Sequence, residues 1–288
     1  VSEPDFKNIA IIGVGLIGGS FAGALKSRYG SSISIIGFGR REENLKEALR
    51  RGLIDTYTFS PEEAVKERDL IVLATPVGRF RELLRRFASH LKKDSVIIDV
   101  GSVKGIVREL ESLVPEGVDF VGCHPIAGSE KAGAENASPE LFNEALCIVT
   151  PTERTNSTVL NRVINIWQSV GCRVVQMSPE QHDRVFGLIS HLPHLVSFAL
   201  VNTVAKLDSE AIEYSGGGFK DTTRIAMSPS QLWVDISLEN RENLIELIET
   251  MKTELDSLKD ALISSDKQRL LKTFQKANNL RRRLKNDC

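Results

Sequence analysis

Four short stretches hold residues whose types and spacing could do chemistry. The first is "IAIIGVGLIGGS", which spaces Gly13, Gly15 and Gly18 as GxGxxG, after an apolar run and at the start of a helical one. Gly13 permits a tight turn, Gly15 lets the backbone approach a pyrophosphate, and Gly18 lets the helix pack close to the strand. The free N–H groups at the helix start, from Leu16 and Ile17 onward, then meet the pyrophosphate. The second and third stretches are "LATPV", with Thr75-Pro76, and "DVGSVKG", with Ser102. The fourth is "FVGCHPIAGSEKAG", where an apolar run stops at Cys123 and His124 follows, held against Pro125. All four lie at carboxyl ends of strand-like runs, where open α/β sheets bind their ligands. A histidine beside a hydride acceptor suits general-base work, because its ordinary pKa lies near neutrality and it can take a proton from an alcohol as hydride leaves. Ser102 would orient the imidazole or bind the same hydroxyl.

These residues need a scaffold. Up to Met177, Ile- and Val-rich runs alternate with amphipathic ones: "NIAIIG", "SISIIGF", "DLIVLATP", "SVIIDVG", "DFVGCHP", "ALCIVTP" and "CRVVQM". Apolar on both faces, they read as strands of a parallel sheet covered on both sides. The pattern predicts an α/β Rossmann-like, doubly wound, mostly parallel sheet over residues 1–178. Residues 179–288 read as an all-helical domain. Ser178-Pro179-Glu180-Gln181 is a helix start, with a serine cap and proline in the first turn, and Ser228-Pro229-Ser230-Gln231 is another. Pro193 should kink the long apolar helix between them. Leu244, Ile248, Met251, Leu255, Leu258 and Leu262 form a heptad seam, which needs a partner: the helix with Leu270, Phe274, Ala277 and Leu280, or another subunit.

The totals narrow the partners. The 288 residues carry a formal net charge of −1, which argues against nucleic acid or a membrane surface while allowing a local basic pocket. No apolar run is expected to reach a membrane span. The opening "VSEPDFKN" lacks the basic and apolar regions of a signal peptide, so a cytoplasmic location is expected. The four cysteines, Cys123, Cys147, Cys172 and Cys288, form no CxxC pair and no zinc spacing, and read as small buried hydrophobes. No metal is expected.

"GCHPIAGSEKAG", preceded by "DVGSVKG" and followed by "HDRVFGLISHLPHLVSFAL" and "GGGFKDTTRIA", resembles the prephenate dehydrogenase family of tyrosine biosynthesis, with the motifs in the family's order. The resemblance implies oxidative decarboxylation of prephenate to 4-hydroxyphenylpyruvate, with hydride passing to a nicotinamide dinucleotide, in a homodimer joined through its helical domain. It assigns His124 and Ser102 to the ring hydroxyl and Arg224 to a substrate carboxylate, which a guanidinium fork matches. Ser190 and His194 would contact the pyruvyl side chain. Gly217 and Lys220 in "GGGFKD" would give backbone freedom and a gating or substrate-side ion pair with Asp221. Glu130 would join a gating network. Ser129 is neutral where arogenate-specific relatives tend to carry an acid, so prephenate is expected over arogenate. The end of the second strand, Gly39-Arg40-Arg41, lacks the acid that binds a ribose 2′-hydroxyl and offers two guanidinium groups instead, which predicts NADP over NAD. Glu42 and Glu43 could turn back to that hydroxyl. Arogenate dehydrogenase is the neighbouring alternative. A β-hydroxyacid dehydrogenase or imine reductase would explain the architecture but not the later motifs, and a dinucleotide-sensing dimer would bind cofactor without turnover.

Overall fold

The computed structural model describes residues 3–128 and 131–284. Ser129 and Glu130 lie outside the described residues, as does Cys288. Chain contacts divide the protein into two compact units, Val1–Arg241 and Glu242–Cys288.

The first unit is built on strands β1 (Asn8–Ile12), β2 (Ser34–Phe38), β3 (Thr56–Thr58), β4 (Leu70–Leu73), β5 (Val96–Asp99), β6 (Asp119–Ile126), β7 (Leu146–Thr150) and β8 (Arg173–Gln176). Among the described residues they form one sheet in the order β3-β2-β1-β4-β5-β6-β7-β8. Every neighbouring pair is parallel except β6 and β7. This is the doubly wound, mostly parallel sheet that the alternating pattern predicts. The seven expected strands are all present. The eighth, β3, has only three residues, "TYT", at the sheet edge, too short to give a periodic signal.

Helices α1 (Leu16–Tyr29), α2 (Glu42–Arg50), α3 (Pro61–Val65), α4 (Phe80–Phe87), α5 (Val107–Ser112) and α6 (Ser157–Ser169) alternate with the strands. One core cluster joins Ile9, Ile11, Val72, Ile98 and Val121 to Phe21 and Trp167; the other joins Ile12, Ile71, Leu73 and Ile97 to Phe80, Leu84 and Phe87. Alternate strand residues therefore feed opposite layers, which is why these strands read as apolar on both faces.

Beyond β8 the chain is helical: α7 (Pro179–Phe186), α8 (Leu192–Leu207), α9 (Gly217–Thr223) and α10 (Ser230–Glu239). Ser178 caps α7, its hydroxyl accepting the Gln181 N–H at 3.1 Å, with Pro179 in the first turn. The second expected start is displaced: α10 begins at Ser230 after an N-cap at Pro229, and Ser228 makes no cap. Pro193 distorts the helix without ending it. Gly187–His191 widens into a π turn and the helical run continues from Pro179 to Leu207. Proline lacks an N–H and crowds the preceding turn, and a π bulge immediately before it accommodates both defects. By length and composition this 29-residue run is apolar enough to cross a membrane, which corrects the expectation that no run reaches a span. The "GGGFKD" stretch is also not a free loop: it opens α9, where the Thr222 and Thr223 hydroxyls donate to the Gly218 and Phe219 carbonyls at 2.7 Å.

α10 anchors this region to the sheet layer. Trp233 and Ile236 join the second core cluster, and Glu239 pairs with Arg81 of α4 through two bonds of 2.5 and 2.9 Å. The second unit consists of α11, most of Arg241–Ile263, and α12 (Lys267–Arg281). Its heptad seam is only partly covered among the described residues: Leu244 is buried, but Leu255, Leu262, Phe274 and Leu280 are all more than half exposed.

Candidate active site

The first turn of the sheet is shaped to admit a dinucleotide. Gly13 has φ +110°, and a Cβ there would meet the Ala74 backbone at 2.7 Å. A Cβ on Gly18 would meet the Gly13 carbonyl oxygen at 2.2 Å, so the helix can approach the strand only without one. Gly15 is different: a Cβ there would meet nothing within 4 Å. It lies at the N-cap of α1, where no side chain caps the helix and no acid occupies the first turn. Open space over an uncapped, uncharged helix N-terminus, with Leu16 and Ile17 in its first turn, fits a pyrophosphate. Thr75, after β4, adds a hydroxyl that is sealed from solvent and has no hydrogen-bond partner among the described residues, and Pro76 beside it is exposed. At the end of β2, Gly39 is followed by Arg40 and Arg41, both exposed and without an ion-pair partner among the described residues. Glu42 is engaged elsewhere, 3.0 Å from Lys46.

His124 lies inside β6, two residues before its end. Parallel pairing with β5 stops at Val121, and from Gly122 onward the strand pairs only with β7, antiparallel. The strand therefore carries His124 beyond the edge of the parallel sheet. Cys123 points into the core and is fully buried, while His124, one residue on, is partly exposed. Cys123, Cys147 and Cys172 are all buried free thiols, and burial pushes the Cys123 thiol up, the reverse of what a nucleophile needs.

The ring partner of His124 is His182, not Ser102: Nδ1 of His124 and Nε2 of His182 are 2.8 Å apart. His182 Nδ1 is 2.7 Å from Asp183 Oδ1. Asp183 also accepts the Lys104 N–H on Oδ1 and the Gly105 N–H on Oδ2, each at 2.7 Å. These two N–H groups belong to the turn that carries Ser102. Behind them Lys104 and Asp99 form a fully buried ion pair, and Asp99 further accepts the Gly101 N–H at 2.8 Å. Burial holds the His124 pKa well below its ordinary value, with His182, Lys104 and His191 adding to the shift. Burial likewise brings His182 down to about 2. Both rings are neutral at neutral pH, so His124 is in the form that accepts a proton.

The comparisons with known proteins agree with this geometry. Residues 21–176 match the family described as "Prephenate dehydrogenase, nucleotide-binding domain", and residues 178–276 match "Prephenate dehydrogenase, dimerization domain". The chain belongs to the prephenate dehydrogenase family. It is 36% identical to the cyclohexadienyl dehydrogenase of Zymomonas mobilis, over 98% of this chain and 97% of that protein. It is 34% identical to the prephenate dehydrogenase of Bacillus subtilis, over 95% of this chain and 75% of that one. Its structure resembles that of the Aquifex aeolicus prephenate dehydrogenase in complex with hydroxyphenyl propionate and NAD+, with a TM-score of 0.91 and 38% identity, covering 98% of this chain and 100% of that one.

For a member of this family, the remaining expected site residues fall into two groups. His194 stacks on Trp233, with centroids 3.6 Å apart and planes at 20°, and its Nδ1–H donates to the Ser190 carbonyl at 2.8 Å. Burial lowers its pKa, and the Arg224 charge adds to the shift. Arg224 is exposed and has no carboxylate partner among the described residues. The helix that carries His194 packs against the Arg224–Met227 segment. Gly217 and Lys220 are exposed on α9, and Lys220 and Asp221 make no ion pair among the described residues. His191 is a buried core histidine: Asn240 Nδ2 donates to its Nδ1 at 3.0 Å and to the Asp183 carbonyl at 2.9 Å. The helical run Pro179–Leu207 supplies His182, Asp183, His191 and His194.

Sequence reasoning missed His182, Asp183, Lys104, Asn240 and Trp233. The signal available was the His182-Asp183 pair one turn into a well-capped helix. A lysine in the apolar turn "SVKGIV" was a second, since a buried cation requires a buried acid.

Proposed function

We propose that this protein is a prephenate dehydrogenase, converting prephenate to 4-hydroxyphenylpyruvate and carbon dioxide. The observation that carries the reading is the neutral His124, whose Nε2 has no partner among the described residues, at the same sheet edge as an uncapped glycine turn. A nicotinamide dinucleotide held by Gly13, Gly15, Gly18 and Thr75 supplies the hydride acceptor. His124 Nε2 takes the proton of the ring hydroxyl as hydride leaves the carbon that bears it. The carbon–carbon bond to the ring carboxylate then breaks, its electron pair aromatises the ring, and the proton returns to the phenol oxygen. Ser102, in the turn that Asp183 holds by two backbone N–H groups, would bind the same hydroxyl. The test is spectrophotometric: prephenate with NAD or NADP should produce reduced nicotinamide. A folded, dinucleotide-binding protein without turnover would instead favour a sensing dimer.

Arg224 is the anchor for a substrate carboxylate. The reading is supported by an exposed guanidinium without a carboxylate partner among the described residues, on a segment that packs against the helix of His194; Ser190 and His194 would meet the pyruvyl side chain. Arg224→Gln should raise the Michaelis constant for prephenate by about 10- to 100-fold, the equivalent of one charge-assisted contact. Turnover at saturation should fall much less, and an unchanged Michaelis constant would remove Arg224 from this role. Prephenate is the preferred substrate over arogenate, on the grounds of the neutral Ser129; Ser129, Glu130, Gly217 and Lys220 complete the proposed substrate side.

Residues 1–178 are proposed as the dinucleotide domain and 179–288 as the domain for substrate binding and dimerisation. The protein is proposed to be a homodimer, because the seam of Leu255, Leu262, Phe274 and Leu280 leaves apolar surface that needs a partner. Sedimentation at micromolar concentration should give twice the mass of one chain, and a monomer there would contradict it. NADP is proposed in preference to NAD, on the free guanidinium groups of Arg40 and Arg41.

A further inference from the structure

We propose that His182 and Asp183 are positioning residues that hold His124 in its Nδ1–H tautomer, while the same Asp183 carboxylate fixes the turn carrying Ser102. The inference rests on the proposed role of His124 as the base.

The tautomers follow from one end of the chain of bonds. Asp183 is 3% exposed, and its two oxygens accept two backbone N–H groups, from Lys104 and Gly105. Burial raises the Asp183 pKa and these donors oppose that shift; with an N–H already directed at each oxygen, the geometry is that of a carboxylate that only accepts. His182 must therefore donate its Nδ1–H to Asp183 across 2.7 Å. A neutral His182 then has a lone pair on Nε2, and at 2.8 Å that atom can only accept the Nδ1–H of His124. His124 is left with an unprotonated Nε2, the form a base requires. Were Nδ1 of His124 unprotonated, two lone pairs would face each other in a buried site.

The surroundings keep the chain of bonds in place. His182 is fully buried and stacks on Phe186, with centroids 4.5 Å apart, and Phe186 also lies 4.9 Å from the His124 ring. Asn240 holds the Asp183 backbone by its carbonyl. A Cβ on Gly105 would meet Asp183 Oδ2 at 2.8 Å, so glycine at that position lets the carboxylate reach the turn. The other charged or titratable groups facing the two rings are Lys104, which is neutralised by Asp99, and His191. One carboxylate thus ties α7, the turn after β5 and, through His182, β6.

The chain has 5 histidines, few enough to assign by labelling. ¹⁵N-histidine NMR of the wild-type protein should show His124 protonated on Nδ1 and bare on Nε2. His182→Phe keeps an aromatic ring against Phe186 but removes the acceptor. It should lower kcat by about 10²-fold, at the low end of what positioned acid–base catalysis contributes. The Michaelis constant for prephenate and the dinucleotide affinity should hold within about twofold, because no binding group is lost. His182→Gln, which offers an amide oxygen, should recover part of the rate. If His182→Phe does not fold, the wild-type tautomer and the glutamine variant decide. A wild-type His124 protonated on Nε2, or a His182→Phe enzyme with normal kcat, overturns the proposal. Failure of the functional reading looks different: no prephenate turnover in the wild type, with the tautomer still measurable.

Discussion

A His124→Asn enzyme is expected to lose about 10²–10⁴-fold in turnover, the usual contribution of a positioned acid–base group. Its dinucleotide affinity should stay unchanged, because the glycine turn belongs to β1 and α1 while His124 belongs to β6. Asparagine is close in size and polar, so the packing against His182 and Phe186 should survive, but no atom of it accepts a proton near neutral pH. The pH profile gives the same hypothesis a second readout. Burial, reinforced by His182, Lys104 and His191, depresses the His124 pKa. The neutral ring is the active form, so kcat/KM should hold steady as pH falls through the ordinary histidine value of about 6.5 and decline only below it. The residual rate of His124→Asn should lack that acid limb. Near wild-type turnover in the variant, or a wild-type acid limb above about pH 6.5, would show that His124 is not the base.

Much of this site was legible in the sequence because its parts have local causes. A glycine turn after a strand is a backbone requirement that a short motif records, and Gly13 and Gly18 meet it through contacts with Ala74 and with each other. His124 stood out because strand alternation buries Cys123 and leaves its neighbour facing away. The strands were legible for the same reason: both faces are covered, so each is apolar throughout. What was hidden depends on distance in the chain. Asp183 meets Lys104 and Gly105 from 79 and 78 residues away, and His182 meets His124 from 58. No local period records such a pairing, and Ser102 was the nearer candidate for the ring partner only because it shares a sheet edge. Pro193 marked a distortion of the helix, but a lone proline does not announce that the distortion takes the form of a π turn. β3 was missed because three residues carry no period.

The cofactor preference turns on the end of β2. An acid there would bind a ribose 2′-hydroxyl and repel a 2′-phosphate, and Gly39 leaves that position without a carboxylate. Arg40 and Arg41 follow at the N-cap of α2, where no side-chain cap forms. Cations at a helix N-terminus oppose the helix dipole, so both guanidinium groups and the free N–H groups of the helix favour an anion brought between them. The competing acid, Glu42, is drawn along the helix to Lys46. Glu43 has no such partner and is the residue most able to serve a ribose hydroxyl. The relative from Aquifex aeolicus was solved with NAD+, so the preference proposed for this chain is a departure from that complex. The wild-type enzyme should show higher kcat/KM with NADP than with NAD. Arg40→Ala/Arg41→Ala should lose about 10²-fold with NADP, the equivalent of one or two charge-assisted contacts, and change little with NAD. Rising salt should weaken NADP use more than NAD use, because the exposed arginines are screened. A wild type that prefers NAD, or a double variant that uses NADP as before, refutes the assignment and shifts the adenosine contact to Glu43.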